Sequence, residues 1–231
     1  TGAVDLRALL DWAQYLGIQN SATTDLSNLY ARVALGVGFN RRFSPYARAA
    51  RNAFAHVRGA TSLLYRCNAG PLPATHWTRD PVEGGGRVLG EAVHFFDLCC
   101  WLLGGDPVSI QARRPGISAE SASEDDIAAL LGFADGSVAT VIYTTGGAPA
   151  LGKERIEWYG GGGGIVLDDF RALTVCGLPG KNLRGRTEDK GQLGVLDNFL
   201  RAVRGQTELE VTGADGLRAT RIALDTLAAA R

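Results

Sequence analysis

The stretch Asp126 to Gly177 constrains the fold most. It is a succession of short β-patterned runs broken by glycine and aspartate turns. In "DIAALLGFADGSVATVIYTT" the tripeptide Ala134-Asp135-Gly136 predicts a hairpin between two strands. "RIEWYG", "GIVLDDF" and "ALTVCG" predict three more strands with equally short connections, and such connections join antiparallel neighbours. Asp168-Asp169 falls at one of these joints and reads as a turn. Upstream, "SLLYRCNAG" and "PVSIQARR" read as strands and "RVALGVGFN" as a buried strand. Helices are grouped around them. Asp5 to Gly17 carries Leu6, Leu9, Leu10, Ala13 and Leu16 at helical spacing, and a short helix capped at Thr24 or Asp25 follows to Tyr30. "SPYARAARNAFAHVRG" has Ser44 as N-cap, Pro45 at the first position and Gly59 as terminator. Gly84 to Leu103, "GQLGVLDNFLRAVRG" and Asp215 to Ala230 complete the set. The predicted class is α+β: a mostly antiparallel open sheet with helices packed on one face.

Composition narrows the partners. The 231 residues are 45% hydrophobic, and 24 basic residues balance 24 acidic ones. A neutral chain has no basic footprint for nucleic acid. No apolar run approaches the roughly 20 residues that span a bilayer, and the first residues carry no targeting signal, so the expectation is no membrane partner, a cytoplasmic location and a small-molecule substrate. The four cysteines lack a CxxC spacing and read as free thiols. The sequence contains no methionine. Thr1 is therefore expected not to be the natural start of translation.

Two glycine-rich stretches invite a nucleotide-binding reading, and both lack its requirements. Gly36 and Gly38 form a GxG after the predicted strand, but Arg41 stands where a third glycine would let helix and strand pack closely. Gly160 to Gly164 lies between two strands, where no helix N-terminus can hold a phosphate.

The chemistry concentrates in "GGGRVLGEAVHFFDLCCWLLGG". On a helix, Gly90, His94, Asp97 and Trp101 share one face, with Glu91 on its flank. His94, near a helix start behind a triple glycine that includes Gly86, reads either as a general acid or base held by Glu91 or as a satisfied core histidine behind a turn. "ExxH" is also half of a di-iron motif, but no second copy occurs. His76 and Trp77 precede the glycines, where an aromatic face suits the apolar side of a sugar ring. No role is assigned to His56.

"VGFNRRFSP", "NAGPLPATHWTRDPVEGGGRVLGEAVHFFDLCCWLLG" and "IEWYGGGGGIVLDDF", in that order, make the chain from about Val33 onward similar to the C-terminal domain of the Gfo/Idh/MocA oxidoreductases. The resemblance implies residues 36–231 as an α+β substrate and dimerisation domain and 1–35 as the tail end of a nucleotide-binding domain. It implies NAD or NADP as cofactor, a sugar, polyol or related hydroxyl or carbonyl substrate, and a homo-oligomer formed through the sheet face. The family histidine that takes the substrate's hydroxyl proton falls on His94. The usual aspartate four residues earlier falls on Gly90, with Glu91 as the candidate substitute. Asn40, Arg42, Trp77, Gly86 and Asp97 are the expected substrate contacts. The family's Glu-Lys-Pro lysine belongs to the nucleotide domain and has no counterpart here. The competing expectation is a module that has lost redox chemistry and keeps only dimerisation or ligand binding.

Overall fold

Alternation of buried and exposed side chains builds one sheet. The computed structural model describes residues 34–73, 75–79, 84–116 and 125–230. Both helices expected before Tyr30, and most of the expected nucleotide-domain tail, lie outside those residues. The strands are β1 (Ser62–Asn68), β2 (Pro107–Arg113), β3 (Ile127–Phe133), β4 (Val138–Thr144), β5 (Glu154–Gly160), β6 (Gly163–Asp168), β7 (Ala172–Cys176) and β8 (Leu183–Arg184). They form an open sheet of order β2-β3-β4-β1-β5-β6-β7-β8. Every pairing is antiparallel except β1 with β4, which run parallel from Ser62 beside Val138 to Asn68 beside Thr144. A parallel pair needs a long crossover, and here the chain between the two passes through a helix and two further strands.

The helices are α1 (Pro45–Phe54), α2 (Val93–Leu103), α3 (Gln192–Val203) and α4 (Gly213–Ala229). Helix α2 lies on β1 and β4, α1 lies on β6 and β7, and α4 covers α2 and β2. Inward residues of the strands, including Tyr65, Ile127, Leu131, Val141, Tyr143, Ile156, Ile165 and Leu167, meet Phe95, Phe96, Leu98 and Cys99 of α2 in one core. Full burial contributes roughly 1.5–3 kcal/mol for each such large side chain, which makes this layer the main stabilising element. The opposite positions, such as Ala128 and Leu130, face outward.

Three expectations are corrected. "RVALGVGFN" is not a strand within its described part: only Gly36 bridges, to Thr212, and a Cβ on Gly36 would lie 2.9 Å from the Phe199 ring. Helix α1 ends at Phe54, short of Gly59, and the Ser44 hydroxyl donates to the Asp189 carbonyl instead of capping. The Gly84 helix starts late. Gly85 and Gly86 have positive φ, so regular helix is excluded there, and a π-helical turn over Val88–Ala92 leads into α2. The strand β8 has no counterpart among the expected elements.

Candidate active site

The sharp turn behind α2 is built by its glycines. A Cβ on Gly84 would fall 2.4 Å from the Trp77 carbonyl oxygen and from the Thr78 Cα, so a side chain cannot stand there. The Gly86 amide then donates to the Thr78 carbonyl at 3.0 Å. Gly86 itself, at φ +90°, faces open space. Trp77 is half exposed on the same turn, its ring beside that of His76.

His94 is the second residue of α2. Its ring meets the edge of Phe39 at 5.3 Å, and its Nδ1 is buried with no hydrogen-bond partner among the described residues. Burial, then the positive charge of Arg41, pushes the imidazole pKa down to about 4, against the opposing pull of Glu154. The ring is therefore neutral across the physiological range, a state that can accept a proton.

Glu91 does not hold this imidazole. Its Oε1 pairs with Nη2 of the buried Arg87 at 3.1 Å, and Arg87 also donates to the Gly70 carbonyl at 2.7 Å. The π-helical turn that contains Glu91 and the cation one turn before it give that carboxylate another partner.

The two arginines of "NRRF" diverge. They sit on a 3₁₀ turn over Asn40–Phe43, where successive side chains point about a third of a turn apart. Arg42 turns toward the helices. It grips both oxygens of the buried Asp97, donates to Asp215 at 2.8 Å, and Arg218 joins the same two carboxylates. Asp215 is also the third residue of α4 and closes a capping box with Thr212. Burial raises the Asp97 carboxyl despite Arg42. Arg42 and Asp97, both expected as substrate contacts, are thus engaged with each other in a link between α2 and α4.

Arg41 turns toward the sheet. Its Nε and Nη2 donate to the two oxygens of Glu154 at 2.8 and 2.9 Å, and its guanidinium lies over the Phe95 ring. Glu154 opens β5 on the buried side, with Ile156 and Trp158 following inward. Its carboxylate also accepts from the Tyr65 hydroxyl and pairs with Lys190 Nζ at 3.1 Å. Burial alone would raise this carboxyl, but Arg41, then Lys190 and Tyr65, holds it down at about 2. Two cations share one fully buried carboxylate beside His94.

Lys190 is fixed by the chain around it. Asn40 Nδ2 donates to the Lys190 carbonyl at 2.8 Å, and Gly191, at φ +82°, packs where a Cβ would lie 2.5 Å from the Asn40 oxygen and the Ser44 nitrogen. Asn40 therefore anchors the loop of the second cation. Of the residues expected from the sequence, His94 stands beside the buried charge cluster. Asn40 supports it, and Arg42 and Asp97 belong to the neighbouring ion network. Glu91 pairs with Arg87, and Trp77 and Gly86 lie on the turn before α2. Arg41, Glu154, Tyr65 and Lys190 were not foreseen. Glu154 had a signal: an acid at an inward position of an alternating strand. A separate cleft of about 440 Å³, lined by Phe54, Leu102, Trp158 and Asp135, lies toward the far end of α2 and contains none of these groups.

Comparison with known proteins gives this geometry a context. The model of the GFO/IDH/MocA C-terminal domain matches residues 49–166, just over half of the chain. Inositol 2-dehydrogenase of Rhizobium meliloti (strain 1021) is 26% identical over 206 residues, covering 83% of this chain and 61% of the relative. Among solved structures, aldose-aldose oxidoreductase from Caulobacter crescentus, complexed with glycerol, superposes with a TM-score of 0.72 at 20% identity, over 87% of this chain and 63% of that one. The WlbA dehydrogenase from Bordetella pertussis, in complex with NADH and UDP-GlcNAcA, gives 0.64 at 20% identity over 87% and 62%. The chain spans less than two thirds of the length of each.

Proposed function

The chain belongs to the GFO/IDH/MocA family, and from that premise we propose that it is the substrate domain of an NAD(P)-dependent dehydrogenase acting on a sugar, polyol or related hydroxyl or carbonyl compound. His94 is the acid/base of this reading. The observation that carries it is the neutral, partly buried imidazole in the first turn of α2, whose buried Nδ1 has no hydrogen-bond partner among the described residues. A histidine satisfied only as core would spend that nitrogen on a hydrogen bond.

The described residues do not fit a dinucleotide. Gly36 is filled by the Phe199 ring and bridged to Thr212 rather than opening a helix toward a phosphate. In this reading a nicotinamide held by another domain would supply the hydride acceptor. What His94 does is accept the proton as the substrate's O–H bond breaks, and return it when a carbonyl is reduced. Raising the energy of the imidazolium makes the protonated ring a ready donor, so the proton is not trapped.

The protein that carries this chain, with its nucleotide domain, tests the reading. Supplied with NAD or NADP and a panel of polyols and aldoses, it should oxidise at least one, and His94→Gln should lower kcat by about 10²-fold or more. Loss of all redox turnover in the wild type would leave a binding or dimerisation module as the better description. Glycine at position 90, in place of the family's aspartate, is the feature that favours that second reading.

A further inference from the structure

Helix α3 presents a row of apolar side chains to solvent. Leu193, Leu196, Leu200 and Val203 are 83%, 59%, 52% and 57% exposed. They recur at steps of three and four residues, so they share one face of the helix, and at 1.5 Å per residue the row is about 15 Å long. The other side of α3 is engaged. Asn198 is buried there, donates to the Glu208 carbonyl and accepts from the Glu210 amide, each at 3.0 Å. A Cβ on Gly194 would stand 2.7 Å from the Phe43 Cβ, so the first turn of α3 lies tight against the 3₁₀ turn of Asn40–Phe43. Apolar residues scattered singly over a surface need no cover, whereas a continuous row of four marks an interaction surface.

The place where the chain joins α3 points to the occupant. The described residues begin at Ala34, and two residues on Gly36 abuts α3, where a Cβ would lie 2.9 Å from the Phe199 ring. Phe199 is a helical neighbour of Leu196, three residues before it, and of Val203, four after it, so the chain joins the described fold along the border of the exposed row. Its neighbours hold that entry in place. The Val37 amide donates to the Val211 carbonyl at 3.3 Å, and a Cβ on Gly213 would stand 2.9 Å from the Leu35 side chain. The sequence before Ala34 carries a matching row: Leu6, Leu9, Leu10, Ala13 and Leu16 stand at helical spacing, and Leu6 is as far from Leu16 in sequence as Leu193 is from Val203. The 16 residues between Gly17 and Ala34 can reach up to about 50 Å. We propose that the apolar face of the Asp5 to Gly17 segment docks on the exposed row of α3 in the same molecule. The tether favours this over a free partner, because it holds the segment at an effective concentration on the order of millimolar. The docked segment covers the outer side of a helix whose inner side packs on the turn of Arg41 and Arg42. The inference is independent of any role for His94.

Photo-cross-linking from α3 in the protein that carries this chain reads the occupant directly. The probe is benzoylphenylalanine, introduced as Leu196→benzoylphenylalanine. Trypsin cuts after Arg7 and Arg32, the only basic residues among the first 33, so the segment is recovered as peptide 8–32. Mass spectrometry should find an adduct between the α3 peptide and peptide 8–32. Irradiating a mixture of isotopically light and heavy protein should give only singly labelled adducts, which places both peptides in one molecule. Leu9→Glu, added to the probe variant, should lower the adduct yield at least about tenfold, because a buried leucine contributes that much to docking. An adduct with any other peptide, an adduct of mixed label, or no adduct in a folded variant overturns the proposal. A yield unmoved by Leu9→Glu does the same. If the probe at position 196 disturbs the fold, Leu200→benzoylphenylalanine carries it on the same face with the same outcomes.

Discussion

Arg41 and Arg42 are adjacent in sequence and serve opposite sides of the molecule: Arg41 grips Glu154 at the head of β5, and Arg42 grips Asp97 in α2. Each pair is buried, so each joins two elements through charges that water does not screen. Removing one partner leaves an unbalanced buried ion, which costs roughly 3–5 kcal/mol. Asp97→Asn and Glu154→Gln are each expected to lower stability by that order in urea unfolding. Near-wild-type midpoints for both would show that the networks contribute little.

Acid should expose the same charges in separable windows. Glu154 is held down at about 2 from an ordinary 4.5, so its contribution is present above pH 4.5 and is lost as pH falls toward 2. Asp215 behaves alike, falling from 3.8 to about 2. His94 acts earlier. Its folded pKa of about 4 lies below the ordinary 6.5, so the unfolded chain binds the proton first and stability falls between pH 6.5 and 4. His94→Gln should flatten the stability curve in that upper window while leaving the drop below pH 4.5. A curve of unchanged shape above pH 4.5 would mean that the imidazole is not desolvated in the folded protein.

Gly191 tests how the lysine loop is held. Its φ of +82° and the 2.5 Å approach of its missing Cβ to the Asn40, Phe43 and Ser44 backbone forbid a side chain twice over. Gly191→Ala should destabilise by about 1–3 kcal/mol or more and shift the loop that carries Lys190. Gly162, also at positive φ but with open space around its Cβ position, is the control. Gly162→Ala should cost only the strain. Equal losses at the two glycines would argue against close packing at Gly191.

The outer face of the sheet makes the fourth prediction. Leu130, 41% exposed, and the partly exposed Leu64, Ile142 and Val166 stand there with Thr140 and Thr144. We expect this face to mediate self-association. Light scattering of the wild type should show a species above 24.4 kDa, and Leu130→Glu should shift it toward the monomer. A wild-type monomer at high concentration would contradict the expectation.

The hairpins were legible because their signals are local: Ala134-Asp135-Gly136 turns with Gly136 at φ +85°, and the β3 and β4 residues alternate in and out as their pattern demands. The parallel pairing of β1 with β4 was not, since nothing near Leu63 or Ala139 records a partner reached through a helix and two strands. His94 could be singled out because a helix start and a glycine turn frame it. That Arg41 reaches Glu154 while Arg42 reaches Asp97 follows from a 3₁₀ turn, which separates neighbours in a way that sequence spacing does not express. Lys190 lies in a loop with no periodicity, and its position depends on Asn40, 150 residues away. The partner of Glu91 did carry a local signal, since Arg87 and Glu91 stand at the i,i+4 spacing at which opposite charges on a helix meet.

Chemical rescue of His94→Ala tests the central claim most directly. In the protein that carries both this chain and a nucleotide domain, the variant should lose most of its polyol or sugar oxidation. Free imidazole should then restore turnover saturably, with little effect on the wild type. Turnover that survives the substitution, or an inactive variant that folds and binds nucleotide but gains nothing from imidazole, would contradict His94 as the proton acceptor.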